Sequence, residues 1–157
     1  MKIKLIMMGK TQEKFVEEGF KMYTNRLTNY LPFEAIEIPG LKKAGNFSPA
    51  QIKESEGILL AKHIAEGSYT VLLDEKGKSF DSVGFSEFVQ QRMNSGVKLL
   101  NFVIGGAYGF SDDICKLANQ KITLSSMTFS HQIVRIIFME QLYRAMTILK
   151  NEPYHNA

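Results

Sequence analysis

An apolar strand pattern runs straight into a glycine-rich turn at Phe102-Val103-Ile104-Gly105-Gly106-Ala107-Tyr108-Gly109-Phe110. Three of the five positions from Gly105 to Gly109 are glycine, so the backbone can approach a ligand where a side chain would collide. Backbone amides at strand-to-helix turns commonly bind nucleotide-like ligands in α/β proteins. The segment therefore predicts a small-molecule site at the end of a buried strand.

Strands and helices alternate on both sides of this turn. The predicted strands are Lys2–Met8, Phe33–Ile38, Tyr69–Asp74, Leu99–Ile104 and Ile122–Ser125. The predicted helices are Thr11–Tyr30, Ser48–Glu66, Val83–Asn94, Asp112–Asn119 and Ser130–Leu149. Such alternation predicts an α/β fold with a mostly parallel sheet covered on both faces, and the length favours one domain over residues 1–157.

Composition places the chain among ordinary folded proteins. Of its residues, 45% are hydrophobic and 22% charged, and no apolar run is long enough to cross a bilayer. The first residues form a strand pattern without a signal-peptide cleavage site, and Cys115 is the single cysteine. We therefore expect a cytoplasmic protein without a disulfide. The net charge of +3 permits an anionic partner without requiring one.

Several common site types are excluded by the spacing of their key residues. Gly77-Lys78-Ser79 resembles the end of a P-loop, but Leu72 stands where that motif needs a glycine. Only Gly9 follows the first strand, which excludes a dinucleotide fingerprint and the glycine-rich turn of Rossmann-type methyltransferases. The histidines are too scattered to predict a metal site, at His63, His131 and His155.

The final predicted helix is apolar around nearly its whole circumference. Arg135 is its only polar residue between Ile133 and Met139. A helix of this kind must be covered on more than one side, because otherwise apolar surface would face water. The sheet can cover one side, and we expect a second subunit to cover the other. The alternative is a central core helix in a monomer.

Three features should meet at the carboxyl ends of the parallel strands: Asp74, the glycine turn after Ile104, and the segment Leu124–Phe129. Open α/β sheets bind their ligands at that edge. The chain also closes with Pro153-Tyr154-His155, and an aromatic–histidine pair at a terminus is better suited to reaching a neighbouring site than to core packing.

Over its whole length the chain resembles one known family. The matching segments, in order, are Lys2–Gly9, Phe33–Pro39, Leu73-Asp74 with Gly77-Lys78, Val103–Gly106 with Gly109, Met127–Phe129 with His131, Val134-Arg135, Glu140–Ala145 and Pro153–His155. This is the pattern of the ribosomal RNA large subunit methyltransferase H family, whose members are minimal SPOUT methyltransferases.

The resemblance implies a fold, an assembly and a reaction. It implies a three-layer SPOUT fold with a C-terminal trefoil knot, and a homodimer that binds S-adenosylmethionine. It also implies methylation of N3 of pseudouridine 1915 in helix 69 of 23S ribosomal RNA, on assembled ribosomes. Two rival interpretations stay open, namely a methyltransferase of another RNA and a non-catalytic dimeric RNA-binding or ribosome-assembly protein.

Position by position, the resemblance also assigns site residues. The methyl-donor site comprises Leu73, Gly105, Leu124, Ser125, Ser126, Met127, Thr128 and Phe129. The sequence departs from the family at Ser130, where proline is common, and at Asn156, where a basic residue is usual. The first departure should change turn rigidity, and the second should remove one RNA-contacting charge.

Methyl transfer to an imide nitrogen needs in-line placement and removal of a proton, and it needs no metal. His155 is the first candidate for the base, since the pKa of an unperturbed histidine lies near neutrality. His131 and Glu140 are the alternatives. We expect Tyr154 to stack on or orient the target base, and Arg144 or Arg135 to hold phosphate.

Overall fold

Five parallel strands form one sheet in the computed structural model, which describes residues 1–156. They are β1 (Lys2–Met8), β2 (Phe33–Ile38), β3 (Tyr69–Ser79), β4 (Leu99–Ile104) and β5 (Gln120–Thr123), in the spatial order β2-β1-β4-β3-β5. Every pair of neighbouring strands is parallel, which confirms the α/β class and makes the sheet entirely rather than mostly parallel.

Helices cover both faces of the sheet. They are α1 (Lys14–Leu27), α2 (Pro49–Ala61), α3 (Ser82–Asn94), α4 (Asp112–Leu117) and α5 (Ile133–Leu149). Side chains of β1 alternate between two cores: Leu5 and Met7 join α1, α3 and α5, while Ile6 and Met8 join α2 and α4. The result is the predicted three-layer arrangement; the trefoil knot stays a prediction.

The prediction that β3 ends at Asp74 is wrong, because the strand continues to Ser79. Both Leu73 and Lys78 pair with Ile122 of β5, so the residues between them leave the ladder as a bulge. At Gly77 the backbone returns so close to β5 that a Cβ would lie 2.5 Å from the backbone of Ile122. This close approach, rather than phosphate binding, explains the glycine.

Several other predicted boundaries move by a few residues. Helix α1 ends at Leu27 rather than Tyr30, and α2 ends at Ala61 rather than Glu66. After each end, backbone amides donate to the carbonyl three residues earlier, as in a 3₁₀ turn, instead of four residues earlier. Helix α4 stops at Leu117 because the amide of Asn119 donates to Thr70 of β3. Strand β5 spans Gln120–Thr123 rather than Ile122–Ser125.

Helix α5 lies on the sheet between α1 and α3. It begins at Ile133 rather than Ser130, although the Ser130 hydroxyl accepts a hydrogen bond from the Ile133 amide at 3.1 Å. Phe138 and Leu142 are fully buried, whereas Ile133 is 42% exposed at the start of the helix. Within residues 1–156 no helix is long and apolar enough to span a membrane.

Candidate active site

A cleft of about 510 Å³ opens at the carboxyl edge of the sheet. The bulge of β3 and the ends of β4 and β5 form it together with the turn that leads into α5. Its lining residues are Leu73, Asp74, Glu75, Lys76, Ile104–Phe110, Thr123, Leu124, Ser125, Met127–His131 and Val134. We call it the carboxyl-edge cleft, and it lies where open α/β sheets bind ligands.

The cleft brings together nearly all the residues predicted to hold the methyl donor. Leu73, Gly105, Leu124, Ser125, Met127, Thr128 and Phe129 line it, and Ser126 does not. Sequence reasoning missed Glu75 and Lys76, which the β3 bulge turns toward the cleft. The signal in the sequence was Gly77, which directly follows Glu75 and Lys76, because a glycine within a strand often marks a bulge.

The glycine turn forms a closely packed wall of the cleft. Gly109 adopts a left-handed conformation with φ of +82°, and its amide donates to the Gly106 carbonyl at 3.2 Å. A Cβ at Gly105 would lie 3.0 Å from Cε1 of the Phe110 ring, which itself lines the cleft. A side chain at position 105 would therefore displace that ring.

Local hydrogen bonds shape the segment between β5 and α5. The Thr123 hydroxyl donates to the carbonyl of Ser125 at 2.7 Å, and the Ser125 hydroxyl accepts from the Met127 amide at 2.9 Å. These bonds turn the backbone so that Met127 stands at the cleft with 74% of its surface exposed. An apolar side chain so exposed at a cleft is suited to contact a bound ligand.

Arg135 is not available to hold phosphate. It is 1% exposed, and it donates to the carbonyl oxygens of Met8 (3.0 Å), Gly9 (2.9 Å) and His131 (3.0 Å). It also donates to the Thr11 hydroxyl at 2.8 Å. The side chain thereby joins the end of β1 to the start of α5, and its role is structural.

The other predicted catalytic residues gather in a second group, which we call the tail cluster: Glu140, Arg144, Tyr154 and His155. Arg144 donates to the Glu140 carboxylate, and its guanidinium lies 4.7 Å from the centre of the Tyr154 ring. The Tyr154 hydroxyl donates to Glu140 at 3.1 Å, and Arg144 Nη1 lies 3.3 Å from Nδ1 of His155. The C-terminal residues are thus folded against α5.

The charges of the tail cluster are mutually stabilised. Burial and neighbouring Tyr23 and Glu140 raise the pKa of Tyr154, so its phenol is a neutral donor at physiological pH. The hydrogen bond to Glu140 raises the pKa of Arg144. A guanidinium only donates, so Nδ1 of His155 is the acceptor in this contact.

The tail cluster does not line the carboxyl-edge cleft. Helix α5 contributes Val134, in its first turn, to the lining of the cleft. Glu140 follows about 9 Å further along the axis and Arg144 about 15 Å, from the rise of an α-helix. His131, the alternative base, does line the cleft. Within residues 1–156 no cluster of metal-ligating side chains is present.

Comparison with known proteins identifies the family. Residues 1–155 match the model described as "Predicted SPOUT methyltransferase". A crystal structure of a probable methyltransferase from Bordetella pertussis has the same fold, with a TM-score of 0.55 and 11% identity, covering 92% of this chain and 95% of the other. The class of protein is therefore the SPOUT methyltransferases.

Relatives that match along the full length of the chain identify its family within the SPOUT methyltransferases. Proteins named Ribosomal RNA large subunit methyltransferase H from Parabacteroides distasonis and Christiangramia forsetii are each 54% identical to this chain over 156 residues, covering 99% of both partners. The relative from Porphyromonas gingivalis is 44% identical over the same length. The chain belongs to the ribosomal RNA large subunit methyltransferase H family.

Proposed function

We propose that this protein is an S-adenosylmethionine-dependent methyltransferase of 23S ribosomal RNA that modifies N3 of pseudouridine 1915 in helix 69 of the assembled ribosome. One observation carries the proposal: the residues assigned to the methyl donor come from three separate segments, and all but Ser126 line one cleft. The names of the full-length relatives support ribosomal RNA as the substrate.

The carboxyl-edge cleft fits the methyl donor in size and lining. Its volume is in the range typical of small-molecule sites, and its wall combines apolar side chains with a glycine turn. Leu73, Gly105 and the segment Leu124–Phe129 would hold the donor. S-adenosylmethionine supplies an electrophilic methyl group on a positively charged sulfur. The task of the chain is to place the target nitrogen in line with that methyl, and positioning alone can lower a barrier by about 7–11 kcal/mol.

The separation between the cleft and the tail cluster supports a dimer. A methyl group moves over one bond length, so side chains more than one helical turn away cannot act on it within the same chain. A second copy can bring its own tail to the cleft of the first. Exposed apolar side chains are available for such an interface on α1 (Phe15, Met22) and α5 (Ile133).

Within the tail cluster we assign the proton acceptor to His155. Glu140 is less suited as the acceptor, because its carboxylate already accepts hydrogen bonds from Arg144 and Tyr154. His155 can take the N3 proton only after its Nδ1 leaves Arg144, so the tail must move away from α5 when the target is bound. Neutral Tyr154 would then orient the base, and Arg144 would be free to hold a phosphate.

Methylation of purified ribosomes tests the proposal. Ribosomes from a strain lacking this gene are incubated with S-adenosylmethionine, with and without the protein, and their RNA is mapped by mass spectrometry. We expect one added methyl group, on the pseudouridine of helix 69. A methyl group elsewhere would favour another RNA target. Absence of donor binding in titration calorimetry would favour the non-catalytic RNA-binding protein.

A further inference from the structure

A half-buried acid, Glu56, lies behind the glycine turn of the carboxyl-edge cleft. Glu56 is on α2, and its Oε2 atom is shielded from solvent and has no hydrogen-bond partner among residues 1–156. No ion pair to Glu56 occurs within residues 1–156. Burial raises the pKa of this carboxyl, as expected when nothing offsets the charge. An uncompensated carboxylate in such a place costs folding free energy and calls for an explanation.

The carboxyl of Glu56 rests on Gly106. A Cβ at Gly106 would lie 2.4 Å from Oε2 and 2.6 Å from Oε1 of Glu56. The next residue, Gly57, approaches Ser111 so closely that a Cβ there would lie 2.4 Å from the Ser111 hydroxyl oxygen. The pair Glu56-Gly57 thus packs against both ends of the turn from Gly106 to Ser111. Gly106 also lines the cleft, so one residue of backbone separates the carboxyl from a bound ligand.

We propose that the Glu56 carboxylate is a specificity-determining group that favours the positively charged methyl donor over its neutral product, acting through the backbone of Gly106. The proposal rests on the donor site proposed above. The donor carries a sulfonium, whereas the product left after transfer, S-adenosylhomocysteine, carries a neutral thioether. Both share the same carboxylate, ammonium and adenosine, so the negative charge of Glu56 can distinguish the two ligands only at the sulfur. A cation in the cleft would offset the charge of Glu56, and loss of that cation would favour product release.

Other acids near the cleft do not provide the same selection. Asp74 is paired with Lys121 at 3.6 Å, and Glu75 is exposed to solvent. Water and the neighbouring ammonium screen these carboxylates, whereas Oε2 of Glu56 is shielded from solvent, so its charge is screened less. Glu56 does not line the cleft, so removing its charge leaves the direct ligand contacts in place.

The test compares the affinities of wild-type protein and Glu56→Gln for S-adenosylmethionine and S-adenosylhomocysteine by titration calorimetry. Glu56→Gln should weaken donor binding about tenfold and change product binding by less than about twofold. The unliganded variant should unfold at the same or a higher temperature than wild type, because it lacks a half-buried charge without an ion-pair partner. Glu54→Gln, an exposed position on the same helix, removes the same charge and should leave both affinities unchanged.

Equal losses for donor and product in Glu56→Gln would overturn the proposal and indicate a packing role. If Glu56→Gln fails to fold, Glu56→Asp keeps the charge but withdraws it by one methylene. The donor-to-product affinity ratio of Glu56→Asp should then fall about threefold, and a wild-type ratio would overturn the proposal. A wild-type protein that binds neither ligand would instead contradict the donor site itself, so the two failures are distinguishable.

Discussion

At the scale of the residue, the buried charge of Arg135 joins the end of β1 to the start of α5 at the carboxyl edge of the sheet. Its guanidinium bonds to the end of β1 and to the turn carrying His131, which are far apart in sequence. The Glu37 carboxylate, 3.8 Å away, partly offsets the buried charge. Because carbonyl oxygens supply most of its partners, removing the arginine would leave buried acceptors unpaired.

We therefore expect Arg135→Met to lower the free energy of unfolding by about 3 kcal/mol, measured by urea denaturation at fixed protein concentration. Arg26→Met is the control. Arg26 stacks on Tyr23 and Tyr143 at 5.5 and 5.4 Å without a hydrogen bond from its side chain in the described residues, and its loss should cost about 1 kcal/mol. Equal losses in the two variants would contradict the structural role of Arg135.

A second prediction at this scale concerns Gly105. Gly105→Val should weaken S-adenosylmethionine binding at least about 100-fold, because the added methyl groups would displace Phe110 into the cleft. Gly45→Val is a matched control in an open loop, where a Cβ would meet no atom within 4 Å. Calorimetry decides the outcome, with circular dichroism to verify folding, and wild-type affinity in Gly105→Val would remove the glycine turn from the donor site.

At the scale of the element, the C-terminal tail is the segment whose position matters most. Tyr154 packs edge-on against Tyr143 at 4.8 Å, and its hydroxyl reaches Glu140 on α5. The tail is therefore packed rather than frayed. The hydrogen bonds of Tyr154 to Glu140 and of His155 to Arg144 could be replaced by hydrogen bonds to a target nucleotide. Tyr154 and His155 are only partly buried, so displacing them should cost less free energy than opening the core.

Deleting the residues after Pro153 should lower methylation of ribosomes about 100-fold or more and change donor affinity by less than about threefold. The reason is that the donor residues lie in other segments. His155→Ala should likewise lower turnover more than donor binding, whereas Asn156→Ala, which alters the same tail, should behave as wild type. Full activity of the truncated enzyme would exclude the tail from catalysis and make His131 the next candidate.

At the scale of the whole molecule, the cleft and the tail cluster lie apart within one chain, and we propose that they are two halves of one site. The sheet covers one side of α5, and α1 and α3 flank it. Apolar surface nevertheless persists at its first turn and on the outer face of α1. A dimer that buries this surface would unite the two halves.

The free protein should accordingly sediment as a dimer at micromolar concentration. Ile133→Glu should raise the dimer dissociation constant at least about tenfold and lower methylation in parallel, because it places a charge in the proposed interface. Leu117→Glu alters an exposed apolar residue on α4, across the sheet, and should leave the dimer intact. A wild-type monomer that methylates ribosomes at full rate would contradict the composite site.

The sequence alone was sufficient for the local features. Alternating apolar runs and the glycine turn predicted all five strands and five helices of the described chain in order, because each depends on neighbours a few residues away. Family resemblance added the donor residues, and all of them except Ser126 line one cleft.

Only the tertiary structure decided what depends on contacts between distant segments. The β3 bulge requires Ile122 of β5, the burial of Arg135 requires β1, and the placement of Glu56 behind Gly106 requires α2 to pack on the turn after β4. The same packing leaves the tail cluster outside the cleft, although both include residues of α5. Periodicity describes which side of an element is apolar, whereas the neighbour that covers it is set by the free energy of packing the whole chain.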